Sequence, residues 1–217
     1  MRSRIIKLLL LLLVATVALG FIFWSQFKKT RGIVTQTVQE PLVSAEMFEI
    51  PVDQSEPLLN PGAPLSAILF VDLGDVKSRA LANMLITFAQ SHPQDVQFTW
   101  KDAPQHRLFS PDPTPAHRAA WCANDQHRFW EFIKNLLASN RFDEKQLVAS
   151  ATAAKLDLAE WNSCRTTTQA DARLSTTRDE ANALGLTSFP ALFLNNKKIN
   201  TSEDVDMEQM LTSFIAK

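Results

Sequence analysis

The chain has no C-x-x-C motif and only two cysteines, Cys122 and Cys164. A sequence-adjacent redox pair and a zinc knuckle are both excluded by that spacing. Two options stay open for the thiols: one bridge between distant positions, or two buried groups acting as small apolar residues. Closing a loop of about 40 residues would stabilise the fold by about 4 kcal/mol in the chain-entropy account. An excess of charge of one sign is also missing. Lys and Arg number 22 against 23 Asp and Glu, a formal charge of -1. No basic field is present to hold nucleic acid, and no acidic tail argues for disorder. The chain contains no internal repeat and no low-complexity segment. Tyrosine is absent while Phe numbers 14, for which we have no physical account. With 46% hydrophobic residues in 217, the chain can fill the core of one ordinary domain.

The N-terminus carries the first positive signal. Arg2, Arg4 and Lys7 precede an uncharged run from Leu8 to Trp24. Its length is at the lower bound for a spanning helix, ~17–25 residues. Phe21, Phe23, Trp24 and Phe27 gather at its far end, as interfacial aromatics do, before Lys28, Lys29 and Arg31. Ala18-Leu19-Gly20 has the small residues of a signal-peptide cleavage site, yet the apolar run continues past it. An uncleaved single-pass anchor over 1–27 is therefore the expectation. Basic residues flank both ends, so the charge rule alone does not fix orientation.

Residues 28–60 read as a spacer and lead-in segment. Met47-Phe48-Glu49-Ile50-Pro51 has the pattern of a short edge strand, and Pro57, Pro61 and Pro64 around Gly62 mark turns. Residues 65–73 are almost continuously apolar, as in a strand covered on both faces. Leu81, Met84, Leu85 and Phe88 then recur at helical spacing until His92-Pro93. Val96, Phe98 and Trp100 alternate with polar residues, a second strand. Strand, helix, strand predicts a parallel pair with a crossover. Prolines fill the loop after 104, and a helical region is expected over about 116–184, stopped at Gly185. "SFPALFLNNKKIN" predicts a hairpin turning at Asn195-Asn196. A last helix is expected over 202–215, capped by Ser202.

Five segments in order resemble one family. "NPGAPLSAILFVDL" is similar to the opening strand of the DsbA-like branch of the thioredoxin superfamily, and "FTWKDAP" to its second strand. "AHRAAWCANDQHRFWEFIKNLLASN" and "LDLAEWNSC" resemble helices of its helical insert, each with a cysteine. "ANALGLTSFPALFLNNKKI" resembles the segment with the family's cis-proline and closing hairpin. The resemblance implies an α/β thioredoxin fold over 61–217, with a helical insertion at about 116–166, behind the N-terminal transmembrane helix. It also implies a scaffold disulfide between Cys122 and Cys164.

The chain departs from that family where the chemistry should be. Aligning Phe70 and Asp72 with the family's strand puts Asp75, Val76, Lys77 and Ser78 on the C-x-x-C positions. A disulfide oxidant uses a thiolate at a helix N-terminus and a second sulfur beside it. Leu69 likewise stands where the family often has a buried acid. Asp75 is expected to cap the helix. Ser78 has no histidine close by in sequence, and Lys77 would have to be held neutral to activate it. His106, His117 and His127 read as solvated or hydrogen-bonded rather than as ligands, because Cys122 and His127 do not share a helix face. Neither metal nor cofactor is expected. Phe189-Pro190 stands at the cis-proline loop, which in the resembled family faces the turn across a groove that takes extended peptide.

The resulting expectation is a membrane-anchored module in the periplasm or extracytoplasmic space, held on the inner membrane. It would not be an enzyme: it would bind a protein or extended peptide as a redox-inactive accessory, without nucleic acid or metal. The alternative is a thiol–disulfide oxidoreductase using Cys122 and Cys164.

Overall fold

The computed structural model describes Thr16 and residues 42–139, 141–202 and 204–216. The expected anchor lies outside the described residues, as does most of the expected spacer. Among the described residues, no helix is long and apolar enough to cross a membrane.

Six strands form one mixed sheet in the order β1-β6-β5-β3-β4-β2. They are β1 (Val43–Met47), β2 (Leu58–Leu59), β3 (Leu65–Val71), β4 (Val96–Asp102), β5 (Ala191–Leu194) and β6 (Lys197–Ile199). The long apolar run becomes β3, paired parallel with β4 on one side and antiparallel with β5 on the other. Nearly every β3 residue is buried, because both faces of a parallel core strand are covered. Helix α1 (Val76–Ser91) makes the crossover from β3 to β4. Asn195 and Asn196, both at positive φ, turn the β5–β6 hairpin, a conformation that short amide side chains tolerate. Asn195 also ties the hairpin to β3, its side chain accepting from the Ser66 N–H at 2.9 Å.

The region expected to be helical divides into α2 (Thr114–Asp125), α3 (Phe129–Ser139), α4 (Glu144–Ala153), α5 (Leu158–Arg165) and α6 (Thr168–Ala183). Asp143 and Asp157 cap α4 and α5. Gly185 at φ +67 follows the end of α6. Trp161 on α5 is wholly buried and donates from its indole to the Ala119 carbonyl on α2 at 2.9 Å.

Three local expectations shift. The first strand runs from Val43 to Met47 rather than onward to Pro51, because its partner β6 has only three residues. The Phe48 N–H then bonds the Asn196 carbonyl and closes the ladder. β2, which pairs with β4, was not expected; it is two residues long, too short to show a period. Both strands come from before residue 61. The last helix, α7 (Met207–Ile215), starts later than 202, because the Asp206 side chain accepts from the Gln209 N–H and makes the cap. Ser202 instead bonds the Asn200 side chain through its own N–H.

Candidate functional site

The turn after β3 is held from five directions. Asp72, fully buried, accepts the Gly74 N–H at 2.9 Å through Oδ1 and pairs with Arg107 at 2.6 Å through Oδ2. Gly74 is needed for close approach: a Cβ there would lie 3.1 Å from Asp72 Oδ1 and 3.3 Å from both Arg107 Nη1 and Pro113 Cβ. Asp75 is the N-cap of α1, accepting the Ser78 N–H at 2.8 Å. Its carboxylate suits the positive end of the helix. Arg79, one turn along α1, donates to the Leu73 carbonyl at 2.9 Å.

The fifth hold comes from α2. The Leu73 N–H donates to His117 Nε2 at 3.0 Å, and His117 Nδ1 bonds Asp102 Oδ1 at the end of β4. Trp100 donates its indole N–H to the same oxygen at 2.8 Å. His117 is wholly buried. A main-chain N–H can only donate, so Nε2 carries a lone pair and the proton sits on Nδ1.

The four turn residues divide by direction. Val76 is 67% exposed and Lys77 is exposed, while Asp75 is partly buried and Ser78 wholly buried. Ser78 Oγ has no hydrogen-bond partner among the described residues. The turn therefore offers a carboxylate committed to capping, an outward apolar side chain, and an inward hydroxyl. It holds no sulfur.

Beside the turn lies the proline loop. The Phe189–Pro190 peptide is cis. β5 pairs with β3 through Phe70 and Ala191, so continuing the register by one residue sets Pro190 opposite Val71, at the mouth of the turn. Phe189 and Pro190 are half-buried, and the main chain of Phe189 makes no main-chain hydrogen bond among the described residues. The loop carrying Arg107 continues into Leu108 and Phe109, which are 88% and 103% exposed.

A second polar cluster lies on the other side of β4, since consecutive strand residues face opposite ways. Lys101 is fully buried and bonds Glu56 at 2.5 Å and Glu180 on α6 at 2.7 Å. Burial pushes the Glu56 carboxyl above its ordinary range, and Lys101 opposes that rise.

Cys122 on α2 and Cys164 on α5 are joined as a disulfide, their Cα atoms 5.8 Å apart. Cys122 is 1% exposed and both lie in the helical insert, away from the turn in sequence. His106 and His127 are exposed; His106 lies 3.3 Å from Asp112. Leu69 is buried in the sheet. The sequence reading missed Asp72, Lys101, Asp102, Glu56, Glu180 and Arg107. One signal was present: Lys101 and Asp102 end a strand that is otherwise buried, where charge must be paired.

A family model described as Thioredoxin matches residues 90–213. Among solved structures, the chain is similar to a thioredoxin-like oxidoreductase from Silicibacter pomeroyi, at 18% identity over 74% of this chain and 91% of that one, with a TM-score of 0.61. It is similar to the thiol-disulfide exchange protein alpha-DsbA2 from Wolbachia pipientis, at 14% identity over 75% and 87%, TM-score 0.61. It is also similar to BdbD from Bacillus subtilis, at 16% identity over 77% and 97%, TM-score 0.62. No curated protein matches it. The expectation that the chain is not an enzyme is corrected by these findings. An oxidoreductase and a thiol-disulfide exchange protein share its fold, and the chain keeps a disulfide of its own. A turn without thiols removes one route for sulfur chemistry and is no ground for denying activity. With the family model spanning more than half its length, the chain belongs to the thioredoxin family, and DsbA proteins share its fold.

Proposed function

We propose that the chain is a protein of the thiol–disulfide oxidoreductase type whose working surface is a client-binding groove between the turn at 74–78 and the cis-Pro190 loop. The observation that carries this reading is the register that sets Pro190 at the mouth of the turn and leaves the Phe189 main chain open. An extended polypeptide pairs with an open main-chain edge through backbone hydrogen bonds, and apolar pockets select its side chains. Val76, Phe189, Leu108 and Phe109 supply the apolar contacts. Any sulfur exchange carried out in the groove draws its sulfur from somewhere other than the turn, which has none. Cys122 and Cys164 take the role of a scaffold bridge, supported by the burial of Cys122.

The reading includes a location. An anchor over 1–27 holds the thioredoxin-fold domain on the extracytoplasmic face of the inner membrane. Support for that side comes from the disulfide, which persists in oxidising compartments.

The test is fluorescence polarisation with the full-length chain in detergent and a labelled, permanently unfolded peptide rich in apolar residues. Phe189→Ala and Val76→Asp should each weaken binding at least tenfold. Binding that is equal in the wild type and both variants would overturn the groove. Protease treatment of intact and opened cells tests the location: digestion of the domain only after the outer envelope is breached supports it, and protection until the inner membrane is lysed refutes it.

A further inference from the structure

We propose that the buried Asp102–His117 couple is a proton-operated latch on the turn: neutral His117 grips the Leu73 main chain, and a proton on Nε2 releases it. The inference rests on the groove reading only for its effect on binding; the latch itself stands on the geometry of the turn.

His117 Nε2 accepts the Leu73 N–H at 3.0 Å, and Nδ1 donates to Asp102, which also accepts from Trp100. Each imidazole nitrogen is thus occupied in the one arrangement that suits the neutral ring. A proton on Nε2 would turn its acceptor into a donor, aimed at another donor that is buried with it. The imidazolium and the Leu73 hydrogen bond exclude one another. Asp102 stabilises the charged ring through Nδ1, so proton uptake is compatible with the fold so long as Leu73 moves. Leu73 is followed at once by Gly74 and the cap residue Asp75, so its displacement disturbs the edge of the groove.

The charged groups of the surrounding elements have partners of their own. Asp72 at the turn pairs with Arg107 of the following loop. Arg79 on α1 bonds the Leu73 carbonyl. Lys101 on β4 is bound to Glu56 and to Glu180 on α6. Arg118, next on α2, pairs with Asp171 on α6. Asp112, ahead of α2, accepts the Thr114 N–H and lies beside His106. Asp102 is the charged group that touches His117. Two neighbours serve as controls: Glu56, whose carboxyl burial pushes upward, and His106, exposed beside Asp112.

By linkage, a client that binds the latched turn holds His117 neutral, so acid weakens binding. The test is a titration of the ¹⁵N-labelled full-length chain in detergent from pH 8 to pH 5 by NMR, with the same peptide probe in parallel. At pH 8 the ring should show the Nδ1–H tautomer. As pH falls, the Leu73, Gly74 and Asp75 amides should move with the same midpoint as the His117 ring. Peptide affinity should fall by up to about tenfold per pH unit below that midpoint. His117→Gln, whose carboxamide can accept from Leu73 and donate to Asp102, should abolish the amide shifts and flatten the affinity profile. Glu56→Gln and His106→Gln should leave the midpoint of the amides in place. Turn amides that stay still while His117 takes up its proton, or a ring that stays neutral to pH 5, would overturn the latch. The wild-type titration decides this even if His117→Gln does not fold. A chain whose turn follows His117 but binds no peptide at any pH would overturn the groove and uphold the latch.

Discussion

Replacing Lys101 by methionine keeps an unbranched side chain of similar length and removes only the charge. The lost ammonium is wholly buried, 2.5 Å from Glu56 and 2.7 Å from Glu180. Two carboxylates are then left together, and the Glu56 side chain is only 5% exposed. Breaking a buried pair from one side costs about 3–5 kcal/mol. Glu180 reaches water at 19% exposure, which places the expected loss near the lower end of that range. Adding Glu56→Gln removes the stranded charge, so Lys101→Met should cost about 2 kcal/mol less in that background. The pH dependence has a fixed sign. Glu56 is raised in the fold by burial from an ordinary value of 4.5, against the opposing pull of Lys101. Such an acid contributes its full share of stability below the ordinary value and loses it as pH climbs through the raised one. Wild-type stability should therefore decline over that window, and Glu56→Gln should remove that part of the decline. In Lys101→Met the window should reach to higher pH, so the variant recovers part of its loss at pH 5. Urea unfolding of the full-length chain, followed by tryptophan fluorescence at pH 5 and pH 7, measures all three effects. A loss below about 1 kcal/mol at pH 7, or the same loss with and without Glu56, would refute the reasoning.

Ser78→Ala should stabilise the chain by about 1 kcal/mol in the same unfolding assay, because it removes a wholly buried hydroxyl without a partner among the described residues. Asp75→Ala should act the other way, losing about 1 kcal/mol with the cap of α1, and Asp75→Asn should restore most of it. Removing both Cys122 and Cys164 as alanines should lower stability by about 4 kcal/mol. A reducing agent should lower the melting temperature of the wild type and leave that double variant unchanged.

The fold was legible wherever a segment had enough residues to show a period. The run at 65–73 suits a strand covered on both faces, and Leu65–Val71 of it forms β3 inside the sheet. The helical spacing of Leu81, Leu85 and Phe88 gave α1, and Asn195-Asn196 gave the hairpin turn. The outer strands escaped for want of length. β2 has two residues, and β1 lies where pairing with β6, rather than its own pattern, decides the bounds. The start of α7 escaped because Ser202 and Asp206 are both good caps, and only the competing Asn200 side chain chooses between them.

The site was legible in its backbone and opaque in its charges. Asp75 as a cap follows from local chemistry, whereas Pro190 beside the turn was implied by the family resemblance and the strand register sets it there. The polar clusters behind the turn follow from neither, because their members come from distant parts of the chain. Lys101 and Glu56 are 45 residues apart, Lys101 and Glu180 are 79 apart, and Leu73 and His117 are 44 apart. Local patterns report on neighbours within a turn of helix or across a hairpin, and no such pattern reaches that far. An obligation was nevertheless written in the sequence. Lys101 and Asp102 are adjacent charges at the end of a strand that is otherwise buried, so each needs a partner. Strand geometry sends them to opposite faces, so the partners had to be two separate sets. Lys101 required acid on one face and Asp102 a donor on the other, and α2 carries one imidazole, His117, at a position where a helix packed on that face can reach it.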